Sequence, residues 1–405
     1  MRSTTITELP LVTANDGAII RSFELSNSSG IVVVLSSVGA SIQSILVPNY
    51  SSTGEHGIPS NVVLGYSSPK EMYETNNPAY MGVIVGRVAN RIERGQFELN
   101  NGTHYALDTN NGPNHLHGGV VGFSHAIWDV AVNDDDQTVV FTHFSPNGDQ
   151  GYPASIVVTA TYSLVTLQEE HGAKLVLTMT GKLVNDTAND KDDDNEDQPV
   201  LSTPINLAQH SYFNLSGIES PNVFSKQLIQ LPHYYTPNDV NSIPTREVCP
   251  IPSSLQVDGP GITMANAIYH WAVDACHVPT NDVALALEHQ VPCPIGIDHN
   301  FVVMDDGVAG TISCPMTHRK VTVRTSAPGV QIYTANWLDI AVHDEQQRTY
   351  KPWQGICLET QHYPNSIMND TECEQFPEFA KGKCFILTPG GPDYYHQVEY
   401  QFEPM

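Results

Sequence analysis

Ser155-Ile156-Val157-Val158-Thr159-Ala160-Thr161-Tyr162-Ser163-Leu164 decides the fold class. Ile156, Val158, Ala160, Tyr162 and Leu164 fall on one side of an extended chain, and small or polar residues fall mostly on the other. A period of two is the pattern of a half-buried antiparallel strand. The pattern returns at Leu175, Leu177 and Met179, and again at Val321 and Val323. Phe97 and Leu99 lead into Asn101-Gly102, and Tyr105 and Leu107 lead back. This predicts a hairpin, because Asn-Gly suits the left-handed turn that matches strand twist. Helical periodicity is scarce. It predicts one short helix over Ala265–Ala275 and about one turn over Lys70–Thr75. The whole chain reads as all-β, a single unit over residues 1–405 with few short helices.

The composition fits this reading and narrows the function. The chain has 405 residues, of which 40% are hydrophobic and 15% charged, so it can bury a core. Gly and Pro number 29 and 28 and are scattered, as many turns require. Lys and Arg number 18 against 44 Asp and Glu, a net charge of −26. So few cations cannot readily form a face that neutralises phosphates, which argues against nucleic acid and against an anionic membrane. Seven cysteines without a C-x-x-C pair, in a chain this long, do not make a disulfide framework. MRSTTITELP lacks the apolar core of a signal peptide, and no apolar run is long enough to span a bilayer, so a cytoplasmic location is expected. Residues 185–197, NDTANDKDDDNED, hold seven acids and one lysine. The segment 185–198 is expected to be a solvated acidic insert. A second insert-like region runs from about 279 to 294.

Five polar clusters interrupt the strand pattern. Gly86-Arg87-Val88-Ala89-Asn90-Arg91 gathers two of the few cations, and on spacing alone a structural role for the arginines is favoured. Asn114-His115-Leu116-His117-Gly118-Gly119 places two histidines at i, i+2, a spacing that shares a face on a strand. A metal site is therefore considered, but a third ligand at matching spacing is missing, and no metal is expected. The paired glycines would let backbone or ligand approach closely. His210, within Asn206–Leu215, reads equally as a satisfied core histidine. Asp298, in Gly296–Phe301, must find a hydrogen-bond partner. Glu359, in Gly355–Gln361, follows an apolar run that reads as a buried strand. A carboxylate there is either paired or has a raised pKa. Together the clusters offer an acid–base set, His210 with Glu359, and polar clamps in Arg91, His117 and Asp298. Spacing alone does not bring them together.

VGRVANRIERGQF, NHLHGGVVGF, INLAQHSYFNLSG, YYTPND, IDHNF, GVQIYTANWL and ICLETQHYPNS, in this order, resemble the galactose mutarotases, or aldose 1-epimerases. The resemblance implies a single large antiparallel β-sandwich with an open sugar cleft. It implies interconversion of the α and β anomers of free aldohexoses such as galactose and glucose, with no cofactor. It casts Glu359 as general base, His210 as general acid and His117 as a second histidine near the ring oxygen. Asn90, Arg91, Asp298 and Gln331 would hold sugar hydroxyls. The family usually has Thr-Gly-Glu where this chain has Thr245-Arg246-Glu247, and Arg246 is expected to reshape a loop at the cleft rim or reach the C6 end of a sugar. Two rival readings are a hexose-6-phosphate 1-epimerase on the same type of fold and a non-catalytic carbohydrate-binding sandwich. A bifunctional sugar-nucleotide epimerase would need a Gly-rich dinucleotide fingerprint, and none follows a strand here. The oligomeric state is not legible.

Overall fold

The computed structural model describes residues 4–51, 55–167, 172–184, 201–218, 226–257, 259–289, 295–344 and 347–405. The acidic segment 185–198 lies outside them. The alternating stretch forms the strand Ile156–Thr166, in which Ile156, Val158, Ala160, Tyr162 and Leu164 are all buried. It pairs antiparallel with Ala173–Leu183, setting Tyr162 opposite Leu177 and Ala160 opposite Met179. Both strands bury alternate residues over most of their length. They belong to a nine-stranded sheet that also holds Arg319–Thr325, which carries Val321 and Val323, and Tyr394–Pro404.

Two smaller sheets cover this one. A five-stranded sheet is built from Thr5–Glu8, Ser22–Ser26, Val32–Ser36, Ser41–Tyr50 and His56–Asn61. A six-stranded sheet runs in the order Tyr212–Phe213, Ile356–Gln361, Gly329–Tyr333, Asp298–Val302, Tyr234–Thr236 and Cys249–Pro250. One hydrophobic cluster joins Phe23, Val33 and Ile45 of the five-stranded sheet, Tyr162, Leu175 and Val321 of the largest, and Val330, Ile332 and Leu358 of the six-stranded one. Each fully buried aliphatic side chain there contributes about 1.5–3 kcal/mol against the entropy of ordering the chain. The architecture is an all-β sandwich. Arg319, 1% exposed, ties its layers by donating to the carbonyls of Val47, Pro48 and Leu215 and to the Ser60 hydroxyl. A buried charge persists only with such partners.

The six-stranded sheet positions the site. Its inner face carries Val330, Ile332 and Leu358 into the core. Its outer face carries the row Asn300, Gln331 and Glu359, which are direct cross-strand partners. The neighbouring row is Asp298, Tyr333 and Cys357. Because strand residues alternate between faces, burying Leu358 forces Glu359 to the outer side.

The predicted hairpin is present, with Phe97 opposite Tyr105, but its turn differs from expectation. Only Gly102 is left-handed (φ 78°); Asn101 is not. The Gly102 N–H donates to the Leu99 carbonyl and the Leu99 N–H to the Thr103 carbonyl. This is the three-residue loop with a left-handed glycine, not the two-residue Asn-Gly turn. The helix expected at Ala265–Ala275 spans Met264–His270, capped by the Thr263 side chain, and continues as a wider turn over Trp271–Ala275. Pro69–Glu74 forms the short helix expected near Lys70. The region read as insert-like from 279 begins with a helix, Thr280–His289. Among the described residues no helix is long and apolar enough to cross a membrane.

Candidate active site

A cleft of about 350 Å³ opens on the outer face of the six-stranded sheet, and all seven residues singled out from sequence line it: Asn90, Arg91, His117, His210, Asp298, Gln331 and Glu359. They come from segments that are far apart in sequence, brought together by sheet pairing. Glu359 sits mid-strand and is 2% exposed. Its Oε2 lies 3.5 Å from His210 Nε2 and has no hydrogen-bond partner. His210 follows the short strand Ala208–Gln209; its N–H donates to the Val83 carbonyl and its own carbonyl accepts from the Gly82 N–H, both at 2.9 Å. The His117 and His210 rings meet edge to face with centroids 5.4 Å apart.

Electrostatics follow from burial. Desolvation pushes the Glu359 carboxyl well above the usual carboxylate range; Asp298 pushes the same way and Arg91 opposes. Desolvation lowers His210 to about 4. It also holds His117 well below the usual histidine value, with the neighbouring His210 and Arg91 adding to it. Around neutral pH both histidines are therefore uncharged. Asp298 finds its partner in Gln331, whose Nε2 donates to Oδ1 at 2.7 Å. Arg91 donates from Nε to Asn111 Oδ1.

Several sequence expectations need correction. His115 and His117 do not share a face. His117 has φ 51°, which breaks the strand, and the His115 ring is turned away to the Asp108 carbonyl and the Tyr152 hydroxyl. Arg87 is not in the cleft. It is 1% exposed and its guanidinium is held by carbonyls of Ser145, Pro146, Pro153 and Ala154, the structural role favoured on spacing. The glycines after His117 admit backbone: a Cβ on Gly118 would lie 1.8 Å from the Gly86 carbonyl oxygen. Arg246 does not line the cleft. It pairs with Glu372 at 2.8 Å and stacks over Phe376. Its φ of 68° is a conformation that glycine adopts freely. Arg246→Gly should leave turnover unchanged. The lost, partly exposed ion pair (about 0–1 kcal/mol) and the relieved backbone roughly cancel in stability. Polarimetry and a thermal melt check both; a clear loss of turnover would return Arg246 to the site.

The sequence reading missed the aromatic walls. Tyr80 contacts His117, with ring centroids 4.7 Å apart, and stacks on His210. Tyr212 packs on His210 from strand Tyr212–Phe213. Tyr333 and Trp337 lie within the quoted GVQIYTANWL, yet their roles were not drawn from it. Trp337 stands at the mouth, 56% exposed, its main-chain N–H donating to the Tyr333 hydroxyl. Tyr80 had no signal beyond lying in a turn-rich loop.

Ligand atoms of His117, His210 and Glu359 lie within 4.8 Å of one another, the third ligand that sequence spacing lacked. A cation there would need a lone pair on both Nε2 atoms. The His117 Nδ1 accepts the Asn90 main-chain N–H at 3.1 Å, which leaves the proton of the neutral ring on Nε2. The trio is therefore poorly suited to a metal.

A buried carboxyl–histidine pair at the foot of an open polar cleft in a β-sandwich defines a site for acid–base chemistry on a polar small molecule. The sequence matches the family described as aldose 1-epimerase over residues 21–373. It is 31% identical to the galactose mutarotase of Mus musculus over 398 residues, covering 98% of this chain and 96% of that one. It is 32% identical to that of Sus scrofa over 349 residues, 85% of each chain, and 29% identical to the aldose 1-epimerase of Escherichia coli K12 over 393 residues, 96% and 97%. Solved structures with the same fold include the aldose epimerase homologue from C. elegans, with TM-score 0.71, 18% identity and complete coverage of both chains. The galactose 1-epimerase of Lactobacillus acidophilus aligns with TM-score 0.70 at 22% identity over 100% and 99% of the chains. The chain belongs to the aldose 1-epimerase family, a family of isomerases.

Proposed function

We propose that the protein interconverts the α and β anomers of free, neutral aldohexoses, galactose and glucose among them, with Glu359 as base and His210 as acid. The observation that carries this is the Glu359 Oε2 to His210 Nε2 approach of 3.5 Å at the buried foot of the cleft. A pyranose inverts at C1 only by opening. The carboxylate takes the C1 hydroxyl proton while the imidazolium gives one to the ring oxygen, and the C1–O5 bond breaks to the aldehyde. Rotation about C1–C2 exposes the other carbonyl face, and both protons return as the ring closes. The pair holds one proton throughout the resting state, on the carboxyl or on the ring. Burial favours the uncharged arrangement and keeps both groups ready to exchange it. His117 donates to a sugar oxygen, and Asn90, Arg91, Asp298 and Gln331 hold hydroxyls. A purely sugar-binding module has no need of such a pair. We place this activity in one domain in the cytoplasm, without a nucleic-acid or membrane partner.

Among the described residues lining the cleft, Arg91 is the only Lys or Arg, and Asp298 and Glu359 face the same space. A phosphate dianion requires more charge-assisted donors than one arginine engaged with Asn111 provides. Polarimetry of freshly dissolved α-galactose and α-glucose should show accelerated mutarotation. Saturation-transfer NMR should show glucose turned over with higher kcat/KM than glucose 6-phosphate. A preference for the phosphate would replace this reading with that of a hexose-6-phosphate epimerase, and no acceleration of any sugar would leave a binding module.

A further inference from the structure

We infer that Tyr80 and Tyr212 form an aromatic clamp, closed by one hydrogen bond, that holds the His210 ring with Nε2 toward Glu359. Both tyrosines are positioning residues for the proton transfer. The Tyr80 ring stacks on His210 with centroids 6.0 Å apart and planes 30° apart. The Tyr212 ring meets it at 5.2 Å and 32°. The Tyr212 hydroxyl donates to the Ala79 carbonyl at 2.9 Å, which ties one jaw to the residue before the other. The polar contacts of the ring are too long to fix it. Nε2 lies 3.5 Å from Glu359 Oε2, and Nδ1 lies 3.6 Å from Cys357 Sγ. A hydrogen bond between nitrogen and oxygen is normally about 2.7–3.2 Å long, and a thiol is a weak partner. The torsion that turns an imidazole is broad and roughly two-fold, so a loosely held ring can swing or flip. Contacts at nitrogen also change whenever a proton is taken up or returned. Contacts at the faces persist: phenol rings attract a neutral imidazole in offset and tilted arrangements, and attract the imidazolium as well. A ring gripped by its faces keeps its aim in both protonation states.

The loop that carries Tyr80 holds its jaw in place. Asn76, Asn77 and Tyr80 all adopt left-handed backbone, with φ 56°, 36° and 54°. For a residue as bulky as tyrosine that conformation is uncommon, and it persists only where the surroundings impose it. Here they do. The buried Asn77 side chain accepts the Met81 N–H at 2.8 Å and donates to the Met81 carbonyl at 3.0 Å. The Tyr80 N–H donates to the Asn77 carbonyl at 2.9 Å. The Gly82 N–H donates to the His210 carbonyl, and the Gly82 carbonyl accepts from Gln209 Nε2 at 2.7 Å. These bonds fix the turn and the end of the loop nearest His210. The Tyr212 hydroxyl reaches closer to the jaw, at Ala79. Its proton is thereby committed to a carbonyl and is not offered to a sugar.

The part played in turnover rests on the function proposed above; the clamp does not, and the experiment separates the two. Spectra of the full-length protein with ¹³C-labelled histidine read the ring protons of His210, with His210→Asn identifying them. Ring currents of the tyrosine faces should set these resonances upfield of those of an exposed histidine. Tyr212→Phe keeps the ring and removes only the hydroxyl that closes the clamp, and Tyr80→Leu removes the other jaw. Each should move the His210 resonances and lower kcat roughly 10–100-fold, the range lost with outer partners that orient metal-bound histidines. KM of Tyr212→Phe should stay unchanged, because the lost hydroxyl served Ala79. Tyr80→Phe should recover the wild-type resonances and most of the kcat that Tyr80→Leu loses. Unaltered His210 resonances in either folded variant would overturn the clamp. Should Tyr212→Phe not fold, Tyr80→Leu decides alone, since Tyr80 is only half-buried. Resonances that move without a fall in kcat would overturn the positioning role. A Tyr80→Phe protein as slow as Tyr80→Leu would overturn it for Tyr80 and assign its hydroxyl to the sugar. A clamp that responds as expected in a protein without mutarotase activity would uphold the geometry and remove the function assigned to it.

Discussion

Glu359→Gln is expected to lower kcat for anomer interconversion by about 10²–10⁴-fold, the usual worth of a positioned proton transfer. His210→Asn is expected to fall in the same range. KM should change little, because the proposed hydroxyl clamps, Asn90, Arg91, Asp298 and Gln331, stay in place in both variants. The two changes should also be strongly non-additive, since either one breaks the shared proton. Stability supplies an internal control. Glu359 is 2% exposed with an unpartnered Oε2, and its charge is opposed by burial and by Asp298. An amide of the same shape matches the uncharged carboxyl that burial favours, so Glu359→Gln should melt no lower than the wild type, the usual trade between stability and activity. Near-normal turnover in polarimetry from a folded Glu359→Gln protein would mean that the base lies elsewhere.

Acid should unfold this protein well before it protonates ordinary carboxylates. Burial depresses His210, His299 and His362 to about 4 and His396 to about 3. In the unfolded chain each would take up a proton near 6.5. The unfolded state therefore binds more protons between those values. Stability is full above about pH 6.5 and drains as pH falls toward the folded values. At about 1.4 kcal/mol per unit and per group, the four together amount to something on the order of 10 kcal/mol, comparable to the whole stability of a domain. Glu359 works the other way. Its raised folded pKa means that protonation in acid favours the folded state, but it is one group against four. The thermal midpoint should drop steadily from pH 6.5 toward 4.5. A midpoint flat over that interval would show that these rings are hydrated or already charged in the fold.

Local pattern and global assembly were unequally legible in the sequence. Ile156, Val158, Ala160, Tyr162 and Leu164 could be placed on one face because strand periodicity is a local property. Glu359 stood out for a related reason, a carboxylate after an apolar run being costly wherever the run is buried. Short-range geometry was less readable. The left-handed φ of His117 turns a strand pattern into a bend and sends His115 and His117 apart, and no spacing rule announces that. Arg246 looked like a change at the cleft because the resemblance marked its loop, but its guanidinium is claimed by Glu372 and Phe376, which lie over a hundred residues away. Tyr80 was missed for the opposite reason. It lies in a loop without periodicity, and its contact with two histidines exists only once Gly82 and Val83 are bonded to His210.

The placement of the tryptophans has an optical consequence. Trp128, Trp271 and Trp353 are 1% exposed or less, whereas Trp337 stands half in water at the mouth of the cleft. Three indoles sit in surroundings that a ligand in the cleft does not touch, and their emission is a constant background. The fourth loses water contact whenever the mouth is filled. A small blue shift of intrinsic fluorescence on adding sugar thus reports occupancy of one site in a protein that needs no label, and Trp337→Phe silences it. Affinity can be read in this way for the Glu359 and His210 variants too, whose turnover is too slow to yield a constant by rate.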